Sequence, residues 1–132
     1  MKKIIIIAAA VLVVAAGAVY YFVLMPKPAP APVTFSPGDY FVTNIKDSNR
    51  LLKSTIVLVI DNTTYKKPPA MLEENISQVR DTIIFILREL SEEEIRLSGV
   101  EESLRQKIRL ALNEKLETEA IQDILFSDFV MQ

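Results

Sequence analysis

An uninterrupted apolar run near the N-terminus constrains this chain more than any other feature. Residues 4–24 contain no charged side chain over 21 positions. As an α-helix rising about 1.5 Å per residue, this run would be about 32 Å long, close to the roughly 30 Å hydrocarbon thickness of a bilayer. The sequence therefore predicts a single transmembrane helix over residues 4–25.

The residues at the two ends of the run predict its orientation. Lys2 and Lys3 precede it directly. Because positive charges favour the cytoplasmic side, we expect residues 1–3 to be a short cytoplasmic tail and the rest of the chain to lie outside. Tyr20 and Tyr21 fall at the far end, where aromatic rings favour the headgroup zone. These four side chains are predicted to set the membrane topology.

The same run also fits a cleaved secretory signal peptide. Lys2 and Lys3 would then be the positive n-region, residues 4–14 the apolar core, and the small residues 16–18 the cleavage site. The apolar character continues to Met25 instead of becoming polar after the small residues, which favours an uncleaved anchor. Both interpretations send the remaining chain across a membrane.

A proline-rich segment follows the apolar run. Residues 26–32, PKPAPAP, hold four prolines in seven positions. Proline fixes φ and keeps the preceding residue extended, so a polyproline II rod of about 22 Å is predicted. Such segments also bind aromatic grooves, but spacing is the favoured role outside the cytoplasm. We assign residues 26–38 to a linker that holds the domain at a set distance.

Composition removes most site chemistry from the remaining chain. Cysteine and histidine are both absent, which excludes disulfides, thiolate nucleophiles, Cys/His zinc sites and imidazole bases. Residues 33–132 carry 12 Lys and Arg against 17 Asp and Glu, a net charge of −5. An acidic chain without a basic cluster does not provide the surface that nucleic acids require. No nucleic-acid partner is predicted.

Two acidic clusters, residues 92–94 and 101–102, invite a catalytic or calcium interpretation. Successive side chains on a helix diverge by about 100°, so neighbouring carboxylates do not converge on one ion or bond. Both clusters instead suit helix N-termini. The sequence predicts no catalytic, cofactor or metal site and no small-molecule substrate, which makes an enzyme the least favoured class.

Two strands are predicted at the start of the domain. Residues 39–45 and 51–60 are rich in β-branched and aromatic residues and are separated by a polar turn. The nearly continuous apolar stretch 56–60 predicts a central strand covered on both faces.

Two helices and a last strand follow. Apolar residues repeat every three or four positions over residues 70–90 and again over 100–116, while residues 120–132 alternate as in a strand. Ser91 with Glu94 forms a capping-box pattern. The last strand is expected to pair beside the first two. The fold class is therefore α+β, with the order β-β-α-α-β over residues 39–132.

This order of segments resembles the flagellar basal-body-associated FliL family. The similarity rests on the lysine-led anchor followed by four blocks, which are YFVTNIKDSNRLLKSTIVLVID, QVRDTIIFIL, SLRQKIRLALNEKL with its Asn113, and ILFSDFVMQ. The resemblance implies a single-pass protein of the bacterial inner membrane and flagellar basal body, with a periplasmic domain of the stomatin/prohibitin (SPFH) type. It also implies a non-enzymatic homo-oligomer, arranged as a ring around the MotA/MotB stator, that supports stator engagement, torque and swarming.

The second family-like block contains the residues expected at an oligomer or partner interface. Ile84, Phe85 and Ile86 belong to an apolar run that goes all round its helix, so we expect both sides of the helix to be covered by the sheet or by an adjoining protomer. Arg80 and Asp81 are either an ordinary solvated pair or a partner contact.

Two other functional classes stay open. A membrane-anchored extracytoplasmic sensor or binding module would need convergent polar groups in an apolar pocket, and no sequence feature selects such a set. A secreted enzyme would require cleavage of the apolar run. A mature protein beginning at Val19 would favour that class.

Overall fold

The computed structural model describes residues 1–132 as two compact units, Met1–Pro30 and Ala31–Gln132. The first unit is one apolar helix. Its regular part, α1, spans Lys2–Val19, and the helix then widens into a π-helical segment, Tyr20–Leu24. The continuous helix is 23 residues, long and apolar enough to cross a membrane.

The helix ends where the proline-rich segment begins. The Met25 N–H donates to the Tyr20 carbonyl at 3.0 Å, and the Met25 backbone then turns extended, with φ −68° and ψ 126°. Pro26 imposes this geometry because its ring clashes with a helical residue before it. Residues 26–32 form neither helix nor strand.

The second unit is built on one antiparallel sheet. Its strands are β1 (Val33–Phe35), β2 (Phe41–Asn44), β3 (Leu51–Ile60) and β4 (Ile121–Met131). The central strand β3 pairs with β4 along one edge, and with β1 and then β2 along the other. The predicted return of the last strand to the sheet is therefore confirmed.

β1 and β2 together form one interrupted edge strand. Phe35 pairs with Leu58 and Phe41 pairs with Ser54, so five residues lie between them on the edge and three on β3. The two extra residues form a bend through SPGDY. β1 lies inside the segment 26–38 that the sequence assigns to the linker, because Val-Thr-Phe is long enough to pair with β3 before the next proline stops it.

Four helices cover one face of the sheet. They are α2 (Ala70–Glu74), α3 (Ile76–Arg88), α4 (Glu92–Arg96) and α5 (Val100–Lys115). The predicted capping box is confirmed at the start of α4, and α5 matches the second predicted helix. The first predicted helix, 70–90, is instead broken at Asn75. There the side-chain amide donates to the Met71 carbonyl at 2.9 Å and the backbone leaves helical geometry, with φ −107° and ψ 25°.

The core lies between these helices and the even-numbered positions of β3. Its fully buried large side chains are Phe41, Leu52, Ile56, Leu58, Ile60, Leu72, Ile83, Leu87, Ile108, Leu112, Ile121 and Ile124. The α+β class is confirmed. The prediction that both faces of 56–60 are covered is wrong for the single chain, because every helix packs on the same face and leaves Val57 and Val59 only half-buried.

Candidate interaction surfaces

Arg80 on α3 turns toward the bend between β1 and β2. Its Nη1 donates to the Pro37 carbonyl at 2.7 Å, and its guanidinium carbon lies 4.6 Å from the centre of the Phe41 ring. Phe41 is itself buried in the core. Cation–π stacking and a charge-assisted hydrogen bond thus fasten the interrupted edge strand to α3.

Gly38 lets Arg80 approach the bend this closely. A Cβ atom at this position would lie 2.0 Å from Arg80 Nη1, and the backbone has φ +139°, a region that L side chains rarely adopt. The SPGDY sequence signals a turn. Its pairing with an arginine 42 residues later is invisible in sequence, since only the fold brings the two together.

The other four predicted interface residues divide between the two sides of α3. Phe85 is 57% exposed and Asp81 is exposed, whereas Ile86 is buried and Ile84 half-buried. Phe85 and Asp81 border a shallow groove of about 530 Å³ between α3 and α5, whose other side includes Glu114 and Lys115. The phenylalanine is thus an apolar side chain available to a partner.

The uncovered face of the sheet is a second apolar surface. Val42 is 49% exposed, Val130 43% and Leu125 39%, and all three lie on this face because they pair with odd-numbered positions of β3. Lys53 occupies the row between Val42 and Val130 and extends its Nζ over the Tyr40 ring, 5.5 Å from the centroid. Carboxylates on the same face belong to β4.

Asn113 ties α5 to the start of β4. Its amide Nδ2 donates to the Ile121 carbonyl at 2.8 Å, and its Oδ1 accepts the Ile121 N–H at 3.2 Å. One side chain therefore satisfies both backbone groups of a buried residue, as a neighbouring strand would. Asn113 lies in a family-like sequence block, but nothing in the sequence points to this role.

Both acidic clusters lie in the first turns of their helices, α4 and α5, as the sequence predicts. Glu94 accepts the Ser91 backbone N–H at 2.8 Å and the Ser91 hydroxyl at 2.9 Å, and these bonds lower the pKa of its carboxyl. Glu92 accepts a hydrogen bond from Ser48 and faces Arg96. No group of three or more acidic side chains is placed to hold a metal ion.

A separate carboxyl caps the turn after β3. Asp61 accepts hydrogen bonds from the Thr63 hydroxyl at 2.6 Å, the Thr64 hydroxyl at 2.7 Å and the Thr63 backbone N–H at 2.9 Å. These bonds, that from the Thr63 hydroxyl foremost, lower the pKa of Asp61. All three donors belong to the same turn, which indicates a structural role.

The predicted topology residues lie at the two ends of the apolar helix. Lys2 and Lys3 form its first turn. Tyr20 and Tyr21 open the π-helical segment, and the Tyr21 ring meets the Phe22 ring edge to face at 5.4 Å. This places the cations at one end of the helix and its aromatic rings at the other.

A depression of about 1070 Å³ lies between α5 and the start of β4. It is open, and its lining includes the charged side chains Arg109, Glu114, Glu117 and Glu119. An enclosed apolar wall with a few converging polar groups is the usual form of a small-molecule site. This depression does not have that form.

Residues 34–132 match a family model described as "Flagellar basal body-associated protein FliL". The chain belongs to the FliL family. The matched region begins within β1 and contains the remaining strands and all four helices of the domain, so the FliL region coincides with the second compact unit apart from its first residues. No curated protein matches the chain.

FliL membership places the chain among flagellar basal-body-associated accessory proteins, which are not a known enzyme family. The apolar helix, Lys2–Leu24, precedes the matched residues and is consistent with a protein of a membrane-embedded structure. The resemblance noted from the four sequence blocks is confirmed.

Proposed function

We propose that this chain is a non-enzymatic accessory protein of the flagellar motor that oligomerises around the MotA/MotB stator and supports stator engagement, torque and swarming. The FliL family match over residues 34–132 is the observation that supports this most directly. The apolar helix supplies a membrane anchor, with residues 1–3 in the cytoplasm and the domain in the periplasm. The domain, of the SPFH type, then stands beside the stator.

The surfaces of the domain fit an adaptor better than an enzyme. Its titrating groups with lowered pKa values, Asp61 and Glu94, are engaged in a turn and a helix cap. Its exposed apolar surface lies on both layers, with Phe85 on the helices and Val42 and Val130 on the sheet. Exposed apolar surface of this kind is typical of protein–protein contact.

We assign the stator contact to the exposed side of α3, at Phe85 and Asp81. Phe85 is a large aromatic side chain beside a groove, and aromatic residues are enriched in protein interfaces. Arg80 and Ile86 support this surface from behind, since one is engaged with Pro37 and the other is buried.

Co-isolation from crosslinked membranes tests the proposed function. A tagged full chain expressed from its own locus should retain MotA and MotB after solubilisation, and a strain lacking the chain should swarm less. The alternative function, a membrane-anchored sensor, would show solute-dependent thermal stabilisation and no stator retention. Normal swimming and swarming of the deletion strain, together with absence of stator proteins from the isolate, would contradict the proposal.

A further inference from the structure

Both outer edges of the sheet present backbone groups without a strand partner. Leu51 and Gln132 exchange both backbone hydrogen bonds, at 2.9 and 2.8 Å, so odd-numbered residues of β3 direct their N–H and C=O groups toward β4. Backbone groups alternate between the two sides of an antiparallel strand. Phe129 and Met131 therefore direct theirs away from β3, at the free edge of β4.

The opposite edge follows from the same alternation. Phe41 and Thr43 pair with even-numbered positions of β3, so Val42 and Asn44 direct their N–H and C=O groups outward from β2. The free part of this edge ends at Asn44, because the next outward residue, Lys46, donates its N–H to the Leu90 carbonyl at 2.9 Å and bridges Ser91. The sheet thus has an unpaired stretch on each side, at Val42 and Asn44 of β2 and at the end of β4. Exposed edges of this kind readily pair with another strand.

The outward backbone groups of β4 have hydrogen-bond partners at the beginning of the strand but not toward its end. Asn113 satisfies the backbone of Ile121, and the Asp123 carboxylate accepts the Ile124 N–H at 2.7 Å. A bulge between the pairs Thr55–Asp128 and Ile56–Phe126 separates this part from the last residues of β4. The segment available to a partner strand is therefore the part after the bulge.

The directions of β2 and β4 determine how a second copy can extend the sheet while keeping its helices on the same face. β2 and β4 both run antiparallel to β3, so they are parallel to each other. A second copy in the same orientation would bring its β2 parallel to β4. In parallel pairing, residues that face each other point their side chains to the same face. The helices of both copies would then cover the same face of a continuous sheet.

The charges on the uncovered face favour pairing of β4 with β2 of a second copy over pairing with the β4 of a second copy. On the uncovered face Lys53 leans toward the β2 edge, over Tyr40, while Asp123 and Asp128 pair with odd-numbered positions of β3 from the β4 side. Joining β4 to β2 brings the lysine of one copy toward Asp128 of the other. Joining two β4 strands brings like charges together, which is unfavourable.

Building on the homo-oligomer of the proposed function, we propose that β4 of one copy pairs in parallel with β2 of the next. Val130 lies beside Val42 of the neighbour, so the row Val42–Lys53–Val130 continues from copy to copy. In this register Asp128 lies beside Tyr40 of the neighbour, over which that copy extends its Lys53. A head-to-tail contact of this kind repeats and closes into a ring when its rotation permits.

Cysteine crosslinking in the full chain tests this junction directly, because the natural sequence has no cysteine. Val42→Cys with Val130→Cys should give a ladder of disulfide-linked dimers, trimers and higher species on oxidation in native membranes. Within one copy the two positions are separated by β3, about 9.6 Å across two strand spacings, which is too far for a disulfide. Each crosslink must therefore join two copies.

Matched variants separate this junction from other contacts. Val130→Cys alone should remain monomeric, and a dimer from it would show β4 paired with β4 and overturn the proposal. A ladder from Phe85→Cys with Val57→Cys, in place of the Val42/Val130 ladder, would show helices stacked on the sheet face and also overturn it. Absence of any ladder from a chain whose circular dichroism is unchanged, and which is therefore folded, would also overturn the proposal.

Charge variants test the register. Lys53→Glu in the double-cysteine chain should lower the ladder yield about two- to five-fold, the range of an exposed ion pair, and adding Asp128→Lys should restore it. Unchanged yield in Lys53→Glu would overturn the register.

Stator co-isolation reports separately on the proposed function. A missing ladder with retained stator proteins would contradict the junction alone. A ladder without stator proteins would contradict the proposed function.

Discussion

Replacing Asn113 should weaken the attachment of α5 to the sheet. Asn113→Ala removes the donor to the Ile121 carbonyl and the acceptor of the Ile121 N–H, bonds of 2.8 and 3.2 Å. Ile121 is 1% exposed, so water does not replace these bonds fully. A net 0.5–1.5 kcal/mol per bond, with the penalty for unpaired buried groups, gives a loss of about 2–3 kcal/mol. Asn113→Asp keeps the acceptor but sets a carboxylate oxygen against the Ile121 carbonyl, so it should lose at least as much.

Urea unfolding of the full chain in detergent micelles, followed by far-ultraviolet circular dichroism, measures this loss. The midpoint should fall while the dependence on urea stays unchanged. Gln106→Ala is the matched control on the same helix, because Gln106 is exposed and bonds only to Glu102, at 3.3 Å. Equal midpoints for Asn113→Ala and Gln106→Ala would refute the role assigned to the asparagine.

Four further substitutions follow from the structure. Gly38→Ala should cost about 1–3 kcal/mol by displacing Arg80, and less in a chain that already carries Arg80→Ala; equal costs in both backgrounds would contradict the contact. Phe85→Asp should leave the unfolding midpoint unchanged, since the ring is exposed, but reduce stator co-isolation; retained stator would argue against that surface. Replacing residues 26–32 by Gly and Ser should impair swarming with insertion and folding intact, whereas full swarming would show a simple tether. Because folding lowers the pKa of Glu94 from its ordinary value of 4.5, stability should fall as the pH drops below that value, and less so in Glu94→Gln; parallel pH profiles would contradict this.

Local patterns predict the elements of this fold well. The alternating and three-to-four-residue apolar repeats identify β3, β4 and α5, because each buries one face against a single core. The capping box predicts the start of α4, since both of its hydrogen bonds form within four residues. These features depend on residues close in sequence.

Features that depend on residues far apart in the chain are not predicted by local sequence patterns. The apolar stretch 56–60 predicts a strand covered twice, yet the helices all pack on one side, and the other side meets solvent in a single chain. Apolar periodicity predicts one continuous helix over residues 70–90, but the helix is broken at Asn75. The contacts of Arg80 with Pro37 and of Asn113 with Ile121 exist only after folding.

The interface residues show the same division. The apolar run IIFIL goes all round α3, so the sequence does not say which of its members face outward. The structure selects Phe85. The free edges of β2 and β4 emerge only from the register of the sheet.

The number of stator units at working motors tests the proposed function most directly. Fluorescently labelled MotB should be counted at single motors under high load, in a strain lacking this chain and in the same strain complemented by it. We expect fewer engaged units without the chain and recovery on complementation. Equal occupancy and equal torque in both strains would contradict a role at the stator.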